Sequence, residues 1–158
     1  MSIIRTDIEI LAPPDRCFDM ARSVDAHVAS TRGTGEIAVA GLTSGLLSLG
    51  DTVTWRARHF GVTQELTAKI TAFDRPRHFR DEMTRGAFAR LCHDHYFEPT
   101  ARGTRMIEVF DFTAPFGLLG TAVDRLFLAR YLRTFLEERG RALKRFAESD
   151  AGSRFVTA

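Results

Sequence analysis

The feature that most constrains the fold is a long helical pattern at residues 118–148, the longest in the sequence. At 1.5 Å per residue, such a helix would be about 45 Å long, enough to cross a small domain. In its second half, apolar residues recur on one side and charged residues on the other, which is typical of a helix that packs on a core. The apolar side carries Leu128, Leu132, Phe135, Leu136, Leu143 and Phe146.

The first half of this helix has a second apolar strip, formed by Leu119, Val123, Leu126 and Phe127. A helix that is apolar on two faces needs two apolar neighbours. A sheet can supply one of them. The other could be a loop, a cavity, a partner protein or a membrane.

The sequence before the helix alternates between apolar and polar residues, which predicts strands with one buried face. The first strand, at 4–10, is followed by one or two short helices over 15–28, with Ser23 as a possible cap between them. A short strand is predicted at 36–40 and a turn or lid at 43–50. Five further strands joined by short turns predict antiparallel hairpins, at 51–59, 62–73, 77–83, 88–98 and 104–113.

A sheet of this kind has one apolar face to cover, and the long helix is the only element large enough to cover it. We therefore predict one α+β domain over residues 1–148, with two short helices after the first strand. In this fold, a curved antiparallel sheet wraps around one long C-terminal helix. Residues 149–158 are predicted to be a flexible C-terminal tail.

Charge and hydropathy exclude several classes of protein. The net charge is only +2, and the basic residues are interleaved with acidic ones, which argues against a nucleic-acid-binding surface. No apolar run approaches the roughly 20 residues of a transmembrane helix, and no signal peptide is recognisable, so we expect a cytoplasmic protein. Cys17 and Cys92 lack a CxxC spacing and are expected to be free thiols. The sequence is compatible with either a monomer or a homodimer.

Several short motifs resemble those of a known superfamily. They are Phe79-x-Asp81, Gly86-x-Phe88, His93-x-His95-x-Phe97, Gly103-Thr104-x-Met106-x-Glu108 and Pro115-x-Gly117-x-x-Gly120. Together they resemble the bacterial stand-alone SRPBCC proteins, the superfamily of START, Bet v 1 and polyketide cyclase domains. The resemblance covers nearly the whole chain and implies a helix-grip fold, with a cavity that binds an apolar or amphipathic small molecule. Leu91 and Glu108 stand where Trp and Asp are frequent, which suggests a reshaped pocket.

Strand alternation brings several ionisable side chains to the inward face. His93 and His95 point inward, and a symmetric turn places His95 opposite Glu108 and His93 opposite Phe110. Asp81 points inward from the preceding strand. A bare buried carboxylate costs on the order of several kcal/mol, so we expect the pairs Asp81–His93 and Glu108–His95.

This cluster has three interpretations: a structural polar ladder, a group that orients a ligand, or a catalytic or metal site. Because no third histidine follows at a motif spacing and His59 would have to approach from another strand, we expect no metal and no cofactor. The predicted function is binding of a hydrophobic or amphipathic small molecule, lipid-like or polyketide-like, in the cavity between the sheet and the C-terminal helix. The predicted ligand-binding residues are Trp55, Gln64, Leu66, Phe79, Asp81, Leu91, His93, His95, Glu108, Phe110, Val123, Phe127 and Tyr131.

Two alternative functions remain at this point. One is an enzyme of the cyclase, dehydratase or hydrolase type, with acid and base groups drawn from His93, His95, Glu108 and Asp81. The other is a module that docks a partner or a membrane through the two-faced start of the helix. The glycine-rich segment 30–50 and this helix start are expected to form the mouth of the cavity, either as a moving lid or as a rigidly packed part of the core.

Overall fold

The computed structural model describes residues 1–114 and 122–157, and the side chains of the long helix from residue 126 onward. The strands are β1 (Ser2–Ile10), β2 (Ile37–Gly41), β3 (Thr52–His59), β4 (Val62–Asp74), β5 (His78–Arg85), β6 (Arg90–Pro99) and β7 (Thr104–Thr113). The helices are α1 (Pro14–Ala21), α2 (Val24–Ser30) and α3 (Ala122–Ala147), followed by a 3-10 helix at Asp150–Phe155. The predicted helix-grip architecture is confirmed.

The seven strands form one antiparallel sheet in the order β1-β7-β6-β5-β4-β3-β2. Each neighbouring pair after β2 is a hairpin, and β1 closes the other end of the sheet against β7. The turn between β3 and β4 consists of Phe60 and Gly61, both with positive φ (52° and 76°), as a tight hairpin turn requires. This places the Phe60 ring at the tip of the hairpin.

The side of α3 that we predicted to be apolar packs against the sheet and the short helices. Leu132, Leu136 and Leu143 are buried, and each contributes roughly 1.5–3 kcal/mol through removal of its side chain from water. Of the second strip, Leu126 and Phe127 are 72% and 62% exposed. Leu119 lies outside the described residues, and so does the side chain of Val123. None of the described helices is both long and apolar enough to cross a membrane.

The two short helices cover one end of the sheet. Phe18 of α1 is fully buried and makes edge-to-face contacts with Phe73, Phe79 and Phe97. Ser23 caps α2 by accepting a hydrogen bond from the backbone N–H of Ala26, which confirms its predicted role.

The segment predicted to be a lid is hydrogen-bonded at several points. Leu47 donates its backbone N–H to the carbonyl of Arg22, and Gly50 donates to the carbonyl of Ile70. Gly45 donates to a carboxylate oxygen of Asp25. Leu47 is also buried. These contacts favour the rigidly packed alternative over a moving lid.

Residues 150–155 differ from the flexible tail that we predicted. They form the 3-10 helix, which folds back on the end of α3 and buries Phe155, whose ring centroid lies 5.0 Å from that of Phe146. Gly152 permits this contact, because a Cβ there would lie only 1.9 Å from the carbonyl oxygen of Phe146. Arg16 also donates to the carbonyls of Ala147 and Ser149. Burial of the apolar Phe155 ring accounts for this packing. The sequence did not predict it because residues 149–158 are of mixed composition and show no helical or strand periodicity.

Candidate functional site

A cavity of about 190 Å³ lies between the sheet and α3. Most of its wall is apolar and comes from β3–β7 and the middle of α3. Ten of the predicted ligand-binding residues line it: Trp55, Gln64, Leu66, Phe79, Asp81, Leu91, His93, His95, Phe110 and Tyr131.

The remaining three predicted residues are placed differently. Phe127 is largely exposed at the surface, and the side chain of Val123 lies outside the described residues. Glu108 is 1% exposed and shares the inward face of the sheet with the two histidines, but it lines a polar groove of about 290 Å³ between β1 and α3 instead of the cavity. It therefore lies behind the two histidines.

The cavity reaches the surface near the tip of the β3–β4 hairpin. Phe60 lines the cavity and is also 55% exposed, so it stands at the rim. Its ring centroid lies 4.6 Å from that of Tyr131 and 5.7 Å from that of Phe127. These three aromatic rings form one side of the mouth.

The inward cluster has the predicted strand register. His95 pairs with Glu108 and His93 with Phe110, as the parity argument required, and Asp81 pairs with His93. The hydrogen bonds differ from those predicted, because the Asp81 carboxylate reaches diagonally to Nε2 of His95, at 3.0 Å. Nδ1 of His93 is 3.8 Å from the same oxygen, beyond hydrogen-bonding distance. The His95 ring stacks on Phe79, with ring centroids 4.1 Å apart, which holds it where Asp81 can reach it.

Arg139 of α3 is the residue of this cluster that the sequence analysis missed. Its Nη1 lies 2.6 Å from Oε1 of Glu108, and both side chains are almost completely buried. Nη2 donates to the carbonyl of Ala21. One signal in the sequence could have found it, because Arg139 lies between Leu136 and Leu143 on the apolar side of the helix. An arginine at such a position needs a buried acidic partner.

The surroundings of these groups set their charge states. Burial opposes ionisation of Glu108, but Arg139 and the two histidines hold the pKa of this carboxyl well below its usual range. Burial also opposes ionisation of Asp81, and its hydrogen bond to His95 still keeps the Asp81 pKa low. Burial, reinforced by neighbouring His95, lowers the pKa of His93 to about 3, so this imidazole is neutral at pH 7.

Several buried polar atoms of the cluster have no hydrogen-bond partner among the described residues. They are Nε2 of His93, Nδ1 of His95 and Nε of Arg139. The two histidine nitrogens lie 3.5 Å and 3.3 Å from Oε1 of Glu108, but without hydrogen-bonding geometry. Buried polar atoms are almost always satisfied in folded proteins, so these three call for an explanation.

A second polar cluster lines the cavity near its mouth. Glu36 lies 2.7 Å from Nε2 of His27 and 4.0 Å from Nε2 of His59. Nδ1 of His59 is 2.7 Å from the hydroxyl of Tyr131, and the His27 ring stacks on Trp55 at 3.9 Å between centroids. Sequence reasoning could not find this cluster, because Glu36 and His27 come from irregular or helical segments whose position depends on the tertiary fold.

Comparison with known proteins agrees with the architecture. The described fold is similar to the crystal structure of protein TTHA0849 from Thermus thermophilus, with 18% identity and a TM-score of 0.75 over 91% of this chain and 95% of that one. It is also similar to major latex-like protein 151 from Panax ginseng, with 12% identity and a TM-score of 0.68 over 94% and 98% of the two chains. At these identities the likeness shows the fold alone. No curated protein matches the chain in sequence.

A family profile gives the stronger assignment, because it matches residues 1–148, nearly the whole chain. The profile describes polyketide cyclases, dehydrases and lipid-transport proteins. Together with the helix-grip fold and the cavity between sheet and helix, this match confirms the resemblance found in the sequence. The chain belongs to the polyketide cyclase/dehydrase and lipid transport family of the SRPBCC superfamily.

Proposed function

We propose that the protein binds a small hydrophobic or amphipathic molecule in the cavity between the sheet and α3. The observation that carries the proposal is the cavity itself, in which apolar walls meet a buried group of ionisable side chains. Ligand pockets are commonly built in this way, with a few polar groups that fix the ligand's orientation. The family description, which names lipid transport beside polyketide chemistry, supports the same proposal.

The cavity volume limits the size of the ligand. An apolar cavity of about 150 Å³ is known to hold benzene. The 190 Å³ found here therefore suits one or two fused rings or a chain of roughly eight to ten carbons. A larger polyketide or a long-chain lipid would require the aromatic rings of Phe60 and Tyr131 to move apart.

The charges in the wall favour an uncharged polar head group. Asp81 lines the cavity as a carboxylate, and a carboxylate on the ligand would be repelled by it. Neutral His93 can accept a hydrogen bond from a hydroxyl group or donate one to a carbonyl oxygen. A phenol or a ketone, both typical of polyketide-like molecules, fits these groups.

Calorimetric titration with 2-naphthol and with 2-naphthoate tests the proposal. We expect saturable 1:1 binding of 2-naphthol, and at least about tenfold weaker binding of 2-naphthoate, a difference of about 1.4 kcal/mol. Because Trp55 is the only tryptophan and lines the cavity, its emission should also change on addition of 1-octanol, which does not absorb in the same range.

The matched variants are Ala57→Phe and Ala101→Phe. Ala57 is buried in the cavity wall, so a phenyl group there fills space that the ligand needs, whereas Ala101 is exposed in a turn. We expect Ala57→Phe to abolish binding of 2-naphthol and Ala101→Phe to leave it unchanged. If neither 2-naphthol nor 1-octanol binds to the wild type, or if Ala57→Phe binds as well as the wild type, the proposal is wrong.

A second candidate function is acid–base catalysis, which is favoured by the hydrogen-bonded pair of His95 and Asp81 in the cavity wall. Burial opposes the charged form of His95, but Asp81 and Glu108 raise its pKa, so the ring is available as a proton donor. Mass spectrometry of aromatic β-polyketone esters incubated with the protein tests this candidate. Turnover by the wild type and its loss in His95→Gln would support catalysis, and saturable binding without turnover would exclude it for these substrates.

A further inference from the structure

Asp81, His93 and His95 form a compact group of potential metal ligands at adjacent inward positions of β5 and β6. One ligand atom from each residue lies within 4.8 Å of the other two. Oδ2 of Asp81 is 3.0 Å from Nε2 of His95 and 3.8 Å from Nδ1 of His93. In a tetrahedral site with bonds of about 2.0–2.1 Å, the ligand atoms lie about 3.3 Å apart, and the two observed distances fall on either side of this value.

The unpartnered ring nitrogens are a second, independent observation. Nε2 of His93 and Nδ1 of His95 are buried without a hydrogen bond to any described residue, and both face the same oxygen of Glu108. Metal-binding histidines usually donate their other ring N–H to a carboxylate or a carbonyl. A cation bound to Nδ1 of His93 and Nε2 of His95 fixes the protons on the two opposite nitrogens, so that both donate to Glu108.

Glu108 is held in the position that this arrangement requires. Arg139 donates to its Oε1 at 2.6 Å, and the hydroxyl of Thr6 lies 3.4 Å from its Oε2. Metal binding requires both imidazoles in their neutral form, and in that form the two carboxylates and the one guanidinium give the cluster a net charge of −1, which suits a divalent cation. The cavity provides an entry path, because all three potential ligands line it.

We propose that Asp81, His93 and His95 bind a divalent transition-metal cation such as Zn²⁺, with Glu108 as the carboxylate that orients both histidines. Two imidazoles and one carboxylate suit Zn²⁺ or Fe²⁺ better than Mg²⁺ or Ca²⁺, which prefer oxygen ligands. Three protein ligands leave one coordination position facing the cavity, open to water or to an oxygen atom of a bound molecule. The proposal opposes the sequence-based expectation of no metal, which rested on the lack of a third histidine at a motif spacing.

The experiment uses the untagged full-length protein, stripped with a chelator, dialysed and then titrated with Zn²⁺ in competition with a chromogenic chelator. We expect one equivalent of Zn²⁺ to bind and the melting temperature to rise with Zn²⁺ concentration. With Co²⁺ in place of Zn²⁺, visible absorption bands of a tetrahedral nitrogen- and oxygen-ligated ion should appear. No organic ligand is needed, so this test is independent of the proposed function.

Four variants distinguish this site from adventitious binding. His93→Ala and Asp81→Asn should each weaken Zn²⁺ binding at least a hundredfold, and Glu108→Gln should weaken it by about 10–100-fold. His78→Ala is the matched control, because His78 also pairs with an aspartate but lies on the outer face of β5. Circular dichroism establishes whether each variant is folded, and Asp81→Asn, which preserves the shape of the side chain, replaces His93→Ala if the latter does not fold.

The results decide the proposal in either direction. Stoichiometric Zn²⁺ that is lost in the ligand variants and retained in His78→Ala supports it. Absence of Zn²⁺ binding by the wild type overturns it, and so does binding that survives both His93→Ala and Asp81→Asn.

Discussion

Replacement of Arg139 by methionine tests the most deeply buried arginine–carboxylate pair described in the structure. Arg139 and Glu108 have side chains only 6% and 1% exposed, so solvent screening does not weaken their interaction appreciably. Arg139→Met leaves the Glu108 carboxylate buried without its closest cation. Loss of one partner of a buried pair typically costs about 3–5 kcal/mol, which is a large part of the roughly 5–15 kcal/mol that stabilises a domain.

Urea denaturation at pH 7 measures this loss as a difference in the free energy of unfolding. The matched control is Arg133→Met on the same helix, because Arg133 is exposed and, within the described part of the chain, donates only to the carbonyl of Arg5. We expect the control to lose less than about 1 kcal/mol. The double variant Glu108→Leu, Arg139→Met should recover most of the loss, since it leaves no unpaired charge in the core.

The pH dependence provides a further check. The pKa of Glu108 is depressed in the folded protein, so its contribution to stability is fully present above the unfolded pKa of about 4.3 and is lost as the pH falls below it. Without Arg139, burial pushes the pKa of Glu108 upward. The deficit of Arg139→Met should therefore be smaller at pH 5 than at pH 8. A deficit below about 1 kcal/mol at pH 7, or one that grows as the pH falls to 5, would refute this account of the cluster.

Two further predictions concern segments whose structure differed from expectation. Phe155→Ala should lower the free energy of unfolding by about 2–4 kcal/mol, because Phe155 is buried against Phe146. The control Val156→Ala, at a half-buried position beside it, should lower it by less than about 1.5 kcal/mol. An unchanged urea midpoint for Phe155→Ala would mean that the 3-10 helix does not pack in solution. The amides of Leu47 and Gly50 should exchange slowly with deuterium in the ligand-free protein because both donate to backbone carbonyls. The exposed Gly33 amide has no backbone acceptor among the described residues and should exchange fast. Rapid exchange at Leu47 that slows on addition of 2-naphthol would instead favour the moving lid.

Strand parity could be predicted from the sequence because it depends only on local alternation. A period of two residues fixes which side chains share a face, and a symmetric turn fixes what lies opposite. The positions of His95 and Glu108 followed from these two rules and are confirmed. The apolar side of α3 followed in the same way from the helical period, as the buried Leu132 and Leu136 show.

Features that depend on contacts between distant elements could not be predicted in this way. The pairing of β4 with β5 shifts between Ile70 and Ala72, which brings Phe73 opposite Phe79 and into contact with the core. An irregularity of this kind reverses the parity of every later residue in the strand, and alternation alone gives no sign of it. The Arg139–Glu108 pair joins α3 to β7, and no periodic rule states how far a helix is rotated about its axis relative to a sheet.

The position of Glu108 has a consequence for proton movement. One side of this residue faces the two histidines of the cavity wall, and the other side faces the polar groove between β1 and α3. The buried cluster therefore borders a second, polar groove on the opposite side from the mouth at Phe60. A molecule that plugs the mouth would leave this groove in place, so the cluster could still exchange protons with bulk solvent through Glu108. In this geometry, protonation of the cluster and binding of a ligand in the cavity are separate events. Protons can pass through the groove at Glu108, whereas the ligand enters through the mouth at Phe60.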